Sequence, residues 1–76
     1  MEAYVLIQTQ VLEAADVVGA VRALPGVSSA DLVTGPYDVI VRVQADGVDE
    51  LGQLVVSHIQ LVKGITRTLT CPIVHL

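Results

Sequence analysis

Tryptophan and phenylalanine are missing from this chain, and Tyr4 and Tyr37 are its only aromatic residues. A core without large rings must be built from small aliphatics, and these are abundant: 53% of the 76 residues are hydrophobic. Cysteine occurs once, at Cys71, which excludes an internal disulfide and a multi-cysteine metal site. Its apolar strand context predicts a buried thiol. His58 and His75 fall in different segments, without the i, i+4 spacing that puts two imidazoles on one helical face, so no metal and no cofactor is expected. Basic residues are equally scarce. Arg22, Arg42, Lys63 and Arg67 stand dispersed against eight acidic residues, for a net charge of −4, which argues against direct contact with nucleic acid. Basic amphipathic stretches and apolar runs long enough to span a bilayer are absent too, and Met1 leads directly into a strand pattern instead of a signal peptide. The expectation is a cytoplasmic protein.

Residues 1–76 are read as a single domain. A domain this small buries only about 60% of the surface its unfolded chain exposes, so its own core is marginal. The apolar fraction exceeds what such a core accommodates, and the surplus predicts a subunit interface.

Periodicity divides the chain into six elements. Ala3 to Thr9 is short and rich in β-formers. From Glu13 the spacing turns helical, with Ala14, Val17, Val18, Val21 and Leu24 on one stripe and Pro25-Gly26 as the stop. Val27 to Val33 and Val39 to Gln44 are strands joined by Thr34-Gly35-Pro36-Tyr37-Asp38, where Gly35 permits positive φ and Pro36 presets a turn corner. Asp46-Gly47 breaks the third strand. A second helix follows, with Val48, Leu51, Val55, Ile59 and Val62 as its stripe and Asp49-Glu50 in its first turn, where the helix dipole favours negative charge. Lys63-Gly64 closes it, and Ile65 to Val74 is the last strand.

Leu24-Pro25-Gly26-Val27 and Val62-Lys63-Gly64-Ile65 occupy equivalent helix-to-strand junctions half the chain apart. That duplication predicts two interleaved right-handed βαβ units: an α+β, ferredoxin-like βαββαβ fold with a four-stranded antiparallel sheet and both helices on one face. Strand alternation then assigns Val5, Ile7, Val39, Val41 and Val43 to the core and Tyr4, Leu6, Gln8, Asp38, Ile40, Arg42 and Gln44 to the bare face. In the last strand, Thr66, Thr68 and Thr70 alternate against Ile65, Leu69 and Cys71; their hydroxyls either form a solvated face or supply donors and acceptors that suit a small zwitterion. A bare face mixing Tyr4, Leu6 and Ile40 with Arg42 predicts sheet-on-sheet dimerisation.

Enzymatic constellations are missing: there is no Ser-His-Asp set, no phosphate-cradling glycine loop and no close carboxylate pair beyond the solvated Asp49-Glu50. Thr9 to Leu12 has no cysteine pair for copper, and Arg22 sits too far along its helix to hold a phosphate at that loop. The enzyme class that survives is a small dimeric oxygenase or isomerase using Tyr4 at the sheet face. The most informative residue is Asp38, since a carboxylate at the root of an apolar strand needs N–H donors or a cation. It either caps turn amides or meets the ammonium of a ligand. With turn amides for a carboxylate and an apolar rim for a side chain, the chain holds the groups an α-amino acid requires.

These motifs together resemble the effector-binding module of the Lrp/AsnC family of feast/famine regulators, the RAM domain. The likeness runs through Leu24-Pro25-Gly26-Val27, Thr34-Gly35-Pro36-Tyr37-Asp38 with Val39 to Val43, and Gly64-Ile65-Thr66-Arg67-Thr68-Leu69-Thr70. It implies dimers formed through the sheets, assembly of dimers into rings that are commonly octamers, and an amino acid or related effector bound between dimers. By the same resemblance Gly35 is the turn glycine that a ligand approaches and Asp38 the orienting aspartate. Thr34, Pro36 and Tyr37 complete the turn, Thr68, Leu69, Thr70 and Cys71 are the last-strand positions, and Val48 is an apolar pocket position. Pro36 replaces a polar residue common in the family, and Val39 an aromatic found in some members. With Met1 two residues before the first strand, the resemblance implies a stand-alone module lacking the helix-turn-helix domain, reaching DNA only through full-length partner regulators.

Overall fold

A computed structural model describes residues 1–76. The elements are β1 (Glu2–Thr9), α1 (Ala14–Arg22), β2 (Val27–Leu32), β3 (Val39–Gln44), α2 (Val48–Ser57), a short 3₁₀ turn (Ile59–Leu61) and β4 (Ile65–Pro72). The four strands form one antiparallel sheet in the order β2-β3-β1-β4, so the fold is the ferredoxin-like α+β arrangement that the duplication implied. Ala3, Val5, Ile7, Val39, Val41 and Val43 are buried beneath Val17, Val18 and Val21 of α1 and Leu51, Leu54 and Val55 of α2. Small branched side chains fill this space without any ring, each contributing about 1.5–3 kcal/mol on full burial.

The two halves are locked together at their glycine junctions. Gly26 and Gly64 have φ of +87° and +98°, which glycine adopts at little cost. Each carbonyl accepts an amide from the other half of the chain, Gln44 to Gly26 at 2.8 Å and Gln10 to Gly64 at 2.7 Å. Each also packs under the opposite helix: a Cβ on Gly26 would stand 3.2 Å from Leu54, and one on Gly64 3.2 Å from Val17 and 3.0 Å from Glu13.

Two elements depart from the sequence expectation by more than a residue or two at their ends, α2 in its length and β4 in its facing. The helical stripe read through Val62 is broken: α2 stops at Ser57, His58 leaves helical geometry with φ −125° and ψ −61°, and a 3₁₀ turn carries Ile59 into the core. Consecutive β-branched residues followed by serine and histidine hold a helix weakly, and burial of Ile59 decides the path. Val48, placed on the buried stripe, is exposed at the overhanging start of α2, whereas the unassigned Leu54 is buried.

The other difference lies in β4. A register shift opposite Gln8 and Thr9 puts Ile65 across from Thr9, while Thr68 pairs with Ile7 and Thr70 with Val5. Ile65 therefore shares the helix-covered side with Thr68 and Thr70, and Leu69 and Cys71 lie on the bare side beside Leu6 and Tyr4. Thr68 and Thr70 are half-buried there instead of forming a solvated face. Cys71, expected to be buried, is exposed because β4 is an edge strand and nothing covers that side of the sheet.

Candidate functional site

The turn from Thr34 to Asp38 is fastened to the end of β1. Asp38 donates its amide to Ile7 O at 2.9 Å, and its carbonyl accepts the Val33 amide at 2.9 Å, closing the β2–β3 connection. Its carboxylate Oδ2 accepts the Thr9 amide at 2.8 Å and the Thr9 hydroxyl at 3.3 Å. The donors that Asp38 needs thus come from across the sheet, not from its own turn. The bulge beside Thr9 leaves that amide in need of an acceptor, and Asp38 supplies it. Its other carboxylate oxygen has no protein partner. Gln8 Nε2 donates to Pro36 O at 2.9 Å, and Tyr37 is half-buried. Gly35, with φ +149°, faces open space: a Cβ there would meet nothing within 4 Å.

Within one chain the expected ligand residues do not converge. Thr34, Gly35, Pro36, Tyr37 and Asp38 lie at the Val39 end of β3, whereas Val48 follows its Gln44 end, a strand length of about 20 Å away. Thr68 sits in the row of Val39 and Ile7 nearest the turn, but Leu69, Thr70 and Cys71 recede down β4 by one row each. Thr68 and Thr70 also face the helices while Leu69 and Cys71 face outward. The residues that sequence reading passed over are Thr9 and Gln8, which fix the turn. The need of Asp38 for N–H donors signalled such a partner without locating it.

The bare face carries the expected interface residues in ordered rows. Asp31, Ile40, Leu6 and Leu69 form one row across the sheet, and Ser29, Arg42, Tyr4 and Cys71 the next. Arg42 binds Glu2 Oε2 through Nε and Nη2 at 3.1 and 2.8 Å and lies 5.6 Å from the Tyr4 ring centroid. The hydrogen bonds and charge of Glu2, helped by Tyr4, raise the Arg42 pKa above its ordinary value. The cation is neutralised within its own face, so it does not oppose stacking of that face on another.

The family model for the Lrp/AsnC ligand binding domain matches residues 2–75. The chain belongs to the Lrp/AsnC family. Among solved structures, TTHA0845 from Thermus thermophilus shares this Lrp/AsnC fold with a TM-score of 0.92 and 32% identity, covering 99% of this chain and 94% of that one. The Neisseria meningitidis transcriptional regulator NMB0573, solved as an L-Met complex, matches in fold with a TM-score of 0.86 at 16% identity, over 97% of this chain and 49% of that one. An HTH-type transcriptional regulator of Pyrococcus furiosus, PF0250, is 30% identical over 55 residues, 72% of this chain. That stretch spans 37% of the regulator's length. The homocitrate synthase of Sulfurisphaera tokodaii is 40% identical over 47 residues, which are 62% of this chain and 10% of the enzyme. The chain spans about a third of the length of the curated regulators it matches.

Proposed function

We propose that this Lrp/AsnC domain is a non-catalytic sensor that binds an α-amino acid or closely related small effector between associated copies. It modulates transcription through its assembly state or through partner regulators that carry a DNA-binding domain. The observation that carries the reading is the turn: it is clipped rigidly onto β1 while its Gly35 tip and one Asp38 oxygen stay free. The two clefts of the chain lie elsewhere, so a pocket at Gly35 requires a second copy to close it. The apolar row of Ile40, Leu6 and Leu69 offers the surface for sheet-on-sheet pairing, and dimers of that kind join into a ring to complete the sites. The L-Met complex of the Neisseria regulator supports an amino acid as the ligand class. The rival oxygenase or isomerase reading is weakened because Tyr4, its candidate group, has its hydroxyl within 3.4 Å of Arg42 and no acid–base partner.

A second reading rests on the homocitrate synthase match: the same sensing act regulates a biosynthetic enzyme instead of a promoter. Calorimetry of the chain against the twenty amino acids tests what both readings share. Saturable binding of at least one is expected, and no binding across the panel removes the amino-acid effector from both.

A further inference from the structure

The two edges of the sheet are finished differently. On the β2 edge, the Val33 amide donates to Asp38 O as a directly facing pair, and alternation then turns the N–H and C=O of Ala30 and Leu32 away from β3. Arg22 covers that edge by placing Nε and Nη2 on Ala30 O at 3.0 and 2.7 Å, and the bulge between Val27 and Ser29 breaks its line. The β4 edge has no such cover. Its phase follows from the Ile73 amide, which donates to Glu2 O at 2.9 Å and so makes Tyr4 with Cys71, Leu6 with Leu69 and Gln8 with Arg67 the bonded pairs of the ladder. The N–H and C=O of Thr68 and Thr70 therefore point outward, and Pro72, which has no N–H to lose, falls in the same phase. Gln60 Nε2 reaches only Thr68 Oγ1, at 2.9 Å, and leaves the outward backbone of β4 free.

We infer that this edge pairs with the β4 edge of a second copy, antiparallel about a two-fold axis at Leu69, joining two four-stranded sheets into one continuous sheet. In that register β4 is complementary to itself. Thr68 of each copy meets Thr70 of the other with backbone donors and acceptors matched, and the threonine side chains pair across the joint on the helix side. On the bare side Leu69 meets its own counterpart, which carries the row of Ile40, Leu6 and Leu69 unbroken into the second sheet, while Arg67 stands across from Cys71 instead of from another cation. An edge whose outward amides are neither capped nor faced by like charge is a template for strand addition, and a second copy supplies the matching strand. This contact goes beyond the effector reading and does not depend on it. The Gly35 turn joins β2 to β3 on the other side of β1, and sheet-on-sheet stacking uses the bare face, so both stay available.

Residue-resolved amide hydrogen exchange of the full chain, at micromolar concentration and after dilution, tests the pairing directly. In the assembly the Thr68 and Thr70 amides should exchange about tenfold or more slowly than the Leu32 amide, which points out from the opposite edge, and dilution to monomer should release them. Thr70→Pro removes an outward N–H without touching the ladder to β1, and by native mass spectrometry it should halve the mass of the assembly, whereas Thr70→Val keeps the N–H and should keep the assembly. Urea unfolding of each variant confirms its fold, and exchange in the wild type decides alone if Thr70→Pro does not fold. Fast exchange at Thr68 and Thr70 in a chain that associates overturns the inference, leaves sheet-on-sheet stacking intact and frees the edge for a strand of another protein. Assembly of Thr70→Pro to the wild-type mass overturns it as well. A monomer at every concentration overturns both contacts.

Discussion

Asp38 illustrates how one side chain serves structure and function through different atoms. Its Oδ2 is committed to Thr9 and its second oxygen is free, so the two roles separate by substitution. Asp38→Asn retains an acceptor for the Thr9 amide and should change stability by less than about 0.5 kcal/mol in urea unfolding, whereas Asp38→Ala strands that part-buried amide and should cost about 1–3 kcal/mol. If the free oxygen meets the ammonium of an effector, Asp38→Asn should still lose about 1.5–3 kcal/mol of affinity by calorimetry. Unchanged affinity would restrict Asp38 to fastening the turn. Glycine positions separate in the same manner. Gly64→Ala combines positive φ with a Cβ 3.0 Å from the Glu13 Cβ, and should destabilise by about 1–3 kcal/mol in the same assay. Gly35→Val meets open space within the chain, so beyond its backbone strain its main effect should be lost effector binding. That Asp38 required donors was legible in its residue type. That the donor is Thr9 was not, because the contact spans 29 residues and depends on the bulge between β1 and β4.

At the scale of elements, the repeated junctions at Pro25-Gly26 and Lys63-Gly64 made the topology legible, since they mark where each helix hands over to a strand. Alternation in β1 and β3 was equally readable, because central strands have a single buried face. It failed in β4, where one extra residue at a bulge reverses which side Ile65 occupies, and period-2 reading has no means of detecting an insertion. It failed again in α2, where Val48 and Ile59 fit a helical stripe although one overhangs the sheet and the other is buried by a 3₁₀ turn. Within one chain Val48, Thr68 and Thr70 therefore do not face the turn residues with which the resemblance grouped them. Arg22 carries a prediction at this scale. Its two bonds to Ala30 O tie the end of α1 to the exposed edge of β2, and Arg22→Leu should cost about 1 kcal/mol in urea unfolding by removing that cap.

For the whole molecule, the decisive property is surplus apolar surface on a small acidic body. Only 14 of 76 residues are buried, while Tyr4, Leu32, Leu69 and Val74 remain exposed. With a net charge of −4 and both Arg22 and Arg42 engaged by the chain's own groups, the isolated chain should show no affinity for duplex DNA in a low-salt shift assay; tight binding there would contradict this. Association should run through the bare sheet face. Ile40→Asp should disrupt it more than Tyr4→Asp, because position 40 lies across from Asp31 whereas Arg42 stands beside position 4 to receive a new carboxylate. The central claim is that copies of this chain associate through that face and so complete an effector site. Native mass spectrometry at micromolar concentration with the amino-acid panel measures both parts in one spectrum. The account predicts dimers or larger assemblies with an amino acid bound at up to one per chain; an 8.0 kDa monomer that carries no ligand across the panel would contradict it.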